Sequence, residues 1–228
     1  MSYIQVTFND YMPILWNGLL AFIGNEIGVA ALMGNMYAES GCTPYACQPS
    51  RPYNVCMDYI NDVDNGVISE WQFVHRGTSA SGGVANGQGG FGLCQWTYYS
   101  RKQNLYDEWE NTTVSIGDIH FQIDFVEWEM NNGYGSTLSE LQNATDLLTA
   151  SNYVLHNYEQ PQDQGSEAQD TRYNYADQIY QRYQGTTPVE PVNPQPSPDD
   201  PPEPQPQPPI RPILPHRMPI WMYPTLRA

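Results

Sequence analysis

The stretch Gly34-Asn35-Met36-Tyr37-Ala38-Glu39-Ser40-Gly41 decides how this chain is read. From Glu26 onward, small or apolar residues fall at Ile27, Ala30, Ala31, Gly34 and Ala38, one face of a 3.6-residue period. Gly41 supplies a helix stop, because glycine accepts the left-handed conformation just past a helix end. Glu39 therefore falls in the last turn of a mostly buried helix. Unpaired carbonyl groups there carry partial negative charge, and the apolar face limits water. Both effects disfavour an ionised carboxylate, which is how a protein keeps a carboxylic acid protonated at moderate pH. The plainer reading of Glu39 is a structural carboxylate, solvated or paired with an arginine.

Working outward, the periodicity predicts a first core helix from about Asp10 to Gly24, with Asn9 or Asp10 as N-cap, and a second from Glu26 to Ser40. Residues 41–64 read as loop, broken by Pro44, Pro49 and Pro52. The alternation of Trp71 and Phe73 with Glu70 and Gln72 predicts a short strand over Val67–Val74. Ser79–Gly92 is crowded with glycine and reads as a small irregular sheet or hairpin. No Gly-Lys-Ser/Thr follows it, so a phosphate-binding loop is discarded. Helical pattern resumes over Tyr98–Glu110, Asp118–Met130, Ser136 or Thr137 to about Asn157, and Gln169–Tyr183. The expected fold is mainly α, of the α+β kind: a helical domain with a small Gly-rich β insertion bordering a cleft.

That domain spans 1–185. Residues 186–209 form a proline-dominated linker, expected to be an extended spacer. The final segment 210–228 adds Ile213, Leu214, Met218, Ile220, Trp221, Met222 and Tyr223, and reads as a docking peptide for a partner.

Composition excludes several function classes. The 228 residues carry a formal charge of −16, and Lys102 is the only lysine. A basic grip on nucleic acid is therefore not expected. The apolar run at Pro13–Gly24 lacks a basic start and is interrupted by Asn17, so it reads neither as a secretion signal nor as a membrane span. Cys42, Cys47, Cys56 and Cys94 match no zinc-site spacing, and their pairing is not legible. His75, His120, His156 and His216 stand too far apart for a metal peptidase. No metal and no cofactor are expected. A cysteine peptidase or amidase built on Cys94 and His120 is conceivable, but Leu93-Cys94-Gln95 reads as a strand end entering a turn rather than a helix start. A glycoside-cleaving enzyme needs a protonated carboxylic acid beside an aromatic, hydrogen-bonding cleft. Glu39, Gln95, Trp96 and the tyrosines fit that need best.

At these residues a resemblance becomes specific. Gly34–Gly41 with Pro44 resembles the catalytic segment of the phage tail lysozyme family, which is similar in layout to soluble lytic transglycosylases and goose-type lysozymes. Gly90-Phe91-Gly92-Leu93-Cys94-Gln95-Trp96-Thr97, then Arg101-Lys102-Gln103, resembles that family's second motif, which is similar to the Gly-Leu-Met-Gln signature of the transglycosylases. Tyr158-Glu159-Gln160-Pro161 with the helix Arg172–Tyr183 resembles its closing motif. The resemblance runs from about Leu15 to Tyr183. It implies a lysozyme-like fold and cleavage of the β-1,4 bond between N-acetylmuramic acid and N-acetylglucosamine in peptidoglycan. Glu39 aligns with the catalytic acid, and Gln95 and Trp96 with cleft residues. Tyr37 and Gly92, in the same motifs, complete the expected substrate-binding set. Cys94 departs from the related signature, where Met or Ala is usual.

Hydrolysis would call for a second carboxylate, about 6.5–9.5 Å away for inversion or about 5–5.5 Å for retention. Asp58, Asp62, Asp64 and Glu70 are the candidates. A lytic transglycosylase would need none, because the sugar's own 6-hydroxyl attacks. The leading expectation is a virion tail muramidase that opens the host wall locally during infection. Its expected partners are peptidoglycan glycan strands and, through 210–228, other tail proteins. The alternatives are a lytic transglycosylase using the same Glu39, an endolysin, and a non-enzymatic tail knob or plug.

Overall fold

Residues 28–36 are all buried, so the helix α2 (Glu26–Ser40) is enclosed on every side rather than along one stripe. Its start is fixed by Asn25, whose side-chain oxygen accepts from the backbone N–H groups of Ile27 and Gly28. Gly41, in the left-handed conformation at φ 65°, ends it. The computed structural model describes residues 5–48, 52–76 and 89–186. The remaining helices are α1 (Tyr11–Ile23), α3 (Tyr53–Asp64), α4 (Glu70–His75), α5 (Tyr99–Glu110), α6 (Ile119–Asn132), α7 (Gly135–Gln142), α8 (Leu147–Val154) and α9 (Ser166–Tyr183). A π-helical turn, Leu155–Glu159, follows α8 directly. Around α2 pack α1, α7, α8 and α9. Among the described residues the architecture is all-helical, with one isolated antiparallel bridge between Cys47 and Phe91. No described helix is long and apolar enough to cross a membrane.

One close approach in this core is between α2 and α9. A Cβ at Gly34 would stand 2.6 Å from both the Cβ and the backbone N of Ala176, so the two helices meet there with no room for a side chain on α2. Glu26 accepts from the backbone N–H of Gly185, and the Tyr37 ring lies edge-on to Tyr175 at 4.7 Å. Numbers rise on α2 as they fall on α9, so the pair is antiparallel.

Several sequence expectations need correction. The expected strand at Val67–Val74 is instead α4. Ser69 and Gln72 form a reciprocal capping box, which nucleates a helix and overrides the two-residue alternation. In that helix Phe73 is buried whereas Trp71 is 67 % exposed, so the two do not share a face. The expected loop at 41–64 contains α3, whose Cys56, Ile60 and Val63 bury at helical spacing. Pro52 sits just ahead of that helix, where a missing N–H costs nothing, and so starts it rather than breaking it. The single helix expected from Ser136 to Asn157 is divided, because Asp146 caps a new start by accepting from Thr149 N at 2.8 Å. At the chain's first helix Asp10 holds the cap position without a side-chain bond. Asn9 instead accepts from Tyr11 N and donates to Gly41 O, tying the start of α1 to the end of α2. The expected glycine-rich insertion lies outside the described residues over 77–88, as do the linker from 187 and the docking segment 210–228.

Cys47 and Cys56 form a disulfide that closes the segment leading into α3, while Cys42 and Cys94 are free and buried. Lys102, the lone lysine, is also buried. Its Nζ donates to the carbonyls of Arg76 and Gly89, the two residues that bracket the glycine-rich segment. Burial, with Arg76 nearby, lowers its pKa to about 7.

Gly34→Ala is expected to reveal the α2–α9 constraint by its sign. In an open helix interior the change would stabilise by about 1 kcal/mol. Here the added methyl would clash with the Ala176 backbone and cost about 1–3 kcal/mol, measured as a lower denaturation midpoint in urea.

Candidate active site

From the Gly34–Ala176 crossing, Glu39 lies further along α2 by about 7.5 Å and Arg172 back along α9 by about 6 Å, at 1.5 Å per residue. Antiparallel packing therefore brings the two side chains together. Arg172 Nη2 donates to Glu39 Oε1 at 2.5 Å, in an ion pair whose side chains keep only 10 % and 19 % of their surface. Arg172 Nε is buried with no hydrogen-bond partner. The carboxylate is held from one side and retains an open edge.

A second carboxyl group stands near the first. The π turn is closed by the Gln160 N–H donating to Leu155 O at 3.0 Å, and Gln160 at φ 48° precedes Pro161, which stops the helix. This turn directs Glu159 inward, where it is buried and its Oε1 has no hydrogen-bond partner. Burial first, and then the charge of Glu39, push its pKa from 4.5 up to about 8. Burial thus shifts Glu159 toward its protonated form relative to an ordinary carboxyl group.

A third carboxylate, Glu129 on α6, organises the surrounding wall. Arg101 on α5 reaches it with Nε and Nη2, each at 2.7 Å, a two-pronged grip that fixes both partners. Trp96 Nε1 and the Tyr158 hydroxyl each donate to Glu129 Oε2 at 2.8 Å. The Arg101 guanidinium also lies over the Tyr158 and Tyr134 rings at 4.7 and 5.4 Å. The Cys94 sulfur sits 3.6 Å from the Tyr158 hydroxyl, and burial pushes its thiol well above the ordinary range. Such a thiol stays protonated and is a poor nucleophile.

The turn that carries Gln95 is bound to the end of α2. Ser40 Oγ lies 2.7 Å from Leu93 O, Leu93 N donates to Gln122 Oε1, and Gln122 Nε2 donates to the carbonyls of Pro44 and Ile116. Gln95, at φ 45°, donates through Nε2 to Ala46 O and Gly92 O. Gly92 has φ 72°, and a Cβ there would meet Gln122 and Trp96 within 2.7 Å. Trp96 is fully buried, Gln95 and Gly92 are buried, and Tyr37 is half-buried with its hydroxyl accepting from Thr7 N at 2.7 Å.

The four candidate second carboxylates sit elsewhere in the helical frame. Asp58 and Asp62 are exposed on α3, Asp64 accepts from Ile116 N at 2.9 Å, and Glu70 is exposed at the start of α4, accepting from Gln103. The structure records no contact between any of these and Glu39.

Comparison with known families decides the assignment: the family model for phage tail lysozyme matches residues 12–183. The chain belongs to the phage tail lysozyme family. No curated protein and no solved structure matches it. The matched span contains Glu39, the Gln95 turn, Glu129, Glu159 and Arg172, so all of these features lie within the phage lysozyme domain.

Three of these residues were not singled out as site residues from the sequence: Arg172, Glu129 and Glu159. A signal for Arg172 was present. Only nine residues in the chain are Lys or Arg, and Arg172 is spaced by four from both Ala168 and Ala176 on the buried face of α9. A cation on a buried face demands a carboxylate partner.

Glu129→Gln is expected to cost about 3–5 kcal/mol, because it leaves the Arg101 charge buried without its counter-ion. The measurement is the unfolding free energy in urea. A change under 1 kcal/mol would show that the Glu129 network is dispensable to the lysozyme fold.

Proposed function

We propose that this domain is a peptidoglycan glycosidase, a muramidase of a phage particle, in which Glu39 is the general acid for the bond between N-acetylmuramic acid and N-acetylglucosamine. The observation that carries the reading is the placement of the Glu39 carboxyl, shielded at the end of a buried helix yet open along one edge, in a chain of the phage tail lysozyme family. A proton given from Glu39 to the glycosidic oxygen lets the leaving sugar depart as a neutral alcohol. The remaining carboxylate then faces the positive charge that develops on the ring carbon and stabilises it. Tyr37, half-buried two residues before Glu39, would face the substrate directly. Gln95, Gly92 and Trp96 would serve by holding the wall of the site in place from within. The raised Cys94 thiol supplies no support for a cysteine peptidase.

The lytic transglycosylase reading is the second one, favoured by a specific observation. A base or nucleophile must be ionised. With Glu159, whose ionisation burial disfavours, as the carboxyl group that neighbours Glu39 among the described residues, the substrate's own 6-hydroxyl becomes the natural attacking group. Action at the host wall from a phage tail accords with the family and is part of the same proposal.

Glu39→Gln removes the proton and keeps the shape. It is expected to lower the rate of glycan cleavage by about 10²–10⁴-fold and, by leaving the largely buried Arg172 without its counter-ion, to lower the denaturation midpoint as well, so rates are compared where both proteins are folded. Mass spectrometry of the digest separates the two chemistries: reducing muramyl ends mark hydrolysis, and 1,6-anhydromuramyl ends mark transglycosylation. Full activity in the Gln variant would remove Glu39 from the mechanism.

A further inference from the structure

The turn that carries Gln95 leans on the extended segment 46–48. Cys47 forms the antiparallel bridge to Phe91, Gln48 N donates to Gly90 O at 2.9 Å, and Gly92 N donates to Ala46 O at 2.8 Å. Gln95 Nε2 donates to the same Ala46 carbonyl at 3.1 Å. Gln95 stands in the left-handed region at φ 45°, and a non-glycine residue keeps that conformation only where its surroundings over-determine it. On its other side the turn reaches the residue next to Glu39, because Ser40 Oγ lies 2.7 Å from Leu93 O. Segment 46–48 is itself held by a covalent bond, from Cys47 to Cys56 in the first turn of α3. That helix is fixed to the body of the domain by the buried Ile60 and Val63, and by Asp64, which accepts from Ile116 N.

We propose that the Cys47–Cys56 disulfide is a redox latch on the wall of the candidate site: closed, it holds the Gln95 turn against the end of α2, and open, it lets that turn relax. This rests on the glycosidase reading, in which the chain is made inside a host cell and acts on the wall outside it. A cytoplasm keeps thiols reduced, whereas disulfides persist outside it. The closing step is exchange with a low-molecular-weight disulfide. One cysteine thiolate attacks that disulfide and expels one small thiolate. The second cysteine thiolate then attacks the mixed disulfide and expels the other. The two protein thiols lose two electrons and two protons, and the small disulfide gains them to become two small thiols. Without the bond, segment 46–48 is kept in place by hydrogen bonds alone, which must then offset the full chain entropy of ordering it.

The latch has a direction. Cys47 and Cys56 are both buried when joined, which shields the closed bond from reductants, whereas the loosened segment of the reduced protein gives access to both thiols. The remaining cysteines do not compete for pairing. Cys42 and Cys94 are buried and free, and burial pushes both thiols above their ordinary range, so neither supplies the thiolate that exchange needs.

The test compares the full chain kept in reductant with the same chain treated with oxidised glutathione, the two forms being told apart by a thiol count of four against two. The amides of Gln48 and Gly92 should exchange with deuterium about tenfold or more faster in the reduced form, with those of α2 and α9 unchanged. Equal protection at Gln48 and Gly92 in the two forms overturns the latch, whether or not the protein cleaves glycan. Loss of protection throughout α2 and α9 also overturns it, since the bond would then staple the whole domain. On peptidoglycan the reduced form should release glycan fragments about ten- to a hundredfold more slowly and recover on oxidation. The double variant Cys47→Ser, Cys56→Ser should stay slow under both treatments. Equal rates in the reduced and oxidised wild-type forms overturn the proposal. If neither form cleaves glycan while the exchange difference is present, the glycosidase reading falls and the latch on the Gln95 turn stands.

Discussion

Because a Cβ at position 34 would stand 2.6 Å from the backbone of Ala176, α2 and α9 can pack as they do only with a bare backbone at that point. Much else in the domain follows from this approach. It covers one side of α2, brings the third sequence motif against the first, and aligns Arg172 with Glu39. A carboxyl at the end of a rigid, buried helix cannot drift, which suits the role of general acid proposed for Glu39. Gln122 extends the same rigidity across the site by joining the Pro44, Leu93 and Ile116 segments through a single side chain.

The three buried or half-buried glutamates show how surroundings divide one residue type into different chemical species. Glu129 accepts from Arg101, Trp96 and Tyr158, so it is a fixed wall element with no oxygen to spare. Glu39 has one arginine and an open edge. Glu159 is buried with its Oε1 bonded to nothing, and burial pushes its pKa up. Their identities come from the number of donors each meets rather than from their own chemistry. In a chain with a net charge of −16, cations are scarce, and the fold spends two of its arginines within this one cluster.

Much of the helical frame was legible from the sequence, because long amphipathic segments such as α1, α2, α6 and α9 carry a strong period and clear stops. The errors came where a local device outweighed the pattern. The Ser69–Gln72 capping box turned an alternating run into α4, and the Asp146 cap divided one helix into two. The Cys56–Ile60–Val63 spacing of α3 was visible but was read as loop because prolines precede it. At the site, Glu39 stood out through its helix position and motif. Its partner Arg172 did not, because the two are separated by 133 residues and a contact of that range is written in the packing, not in any local spacing. Glu159 lay within a quoted motif, but its burial depends on a π turn, for which short-range pattern offers no rule.

That separation has a consequence for the life of the chain in the cell that makes it. Glu39 leaves the ribosome early, whereas the helix that carries Arg172 and closes over α2 is made near the end of the domain. During most of synthesis the site is therefore no more than scattered side chains, and α2 lacks the packing that encloses it. The same holds for any product truncated before α9. The candidate site of this phage tail lysozyme domain is thus complete only once its last helix has been made and packs on α2.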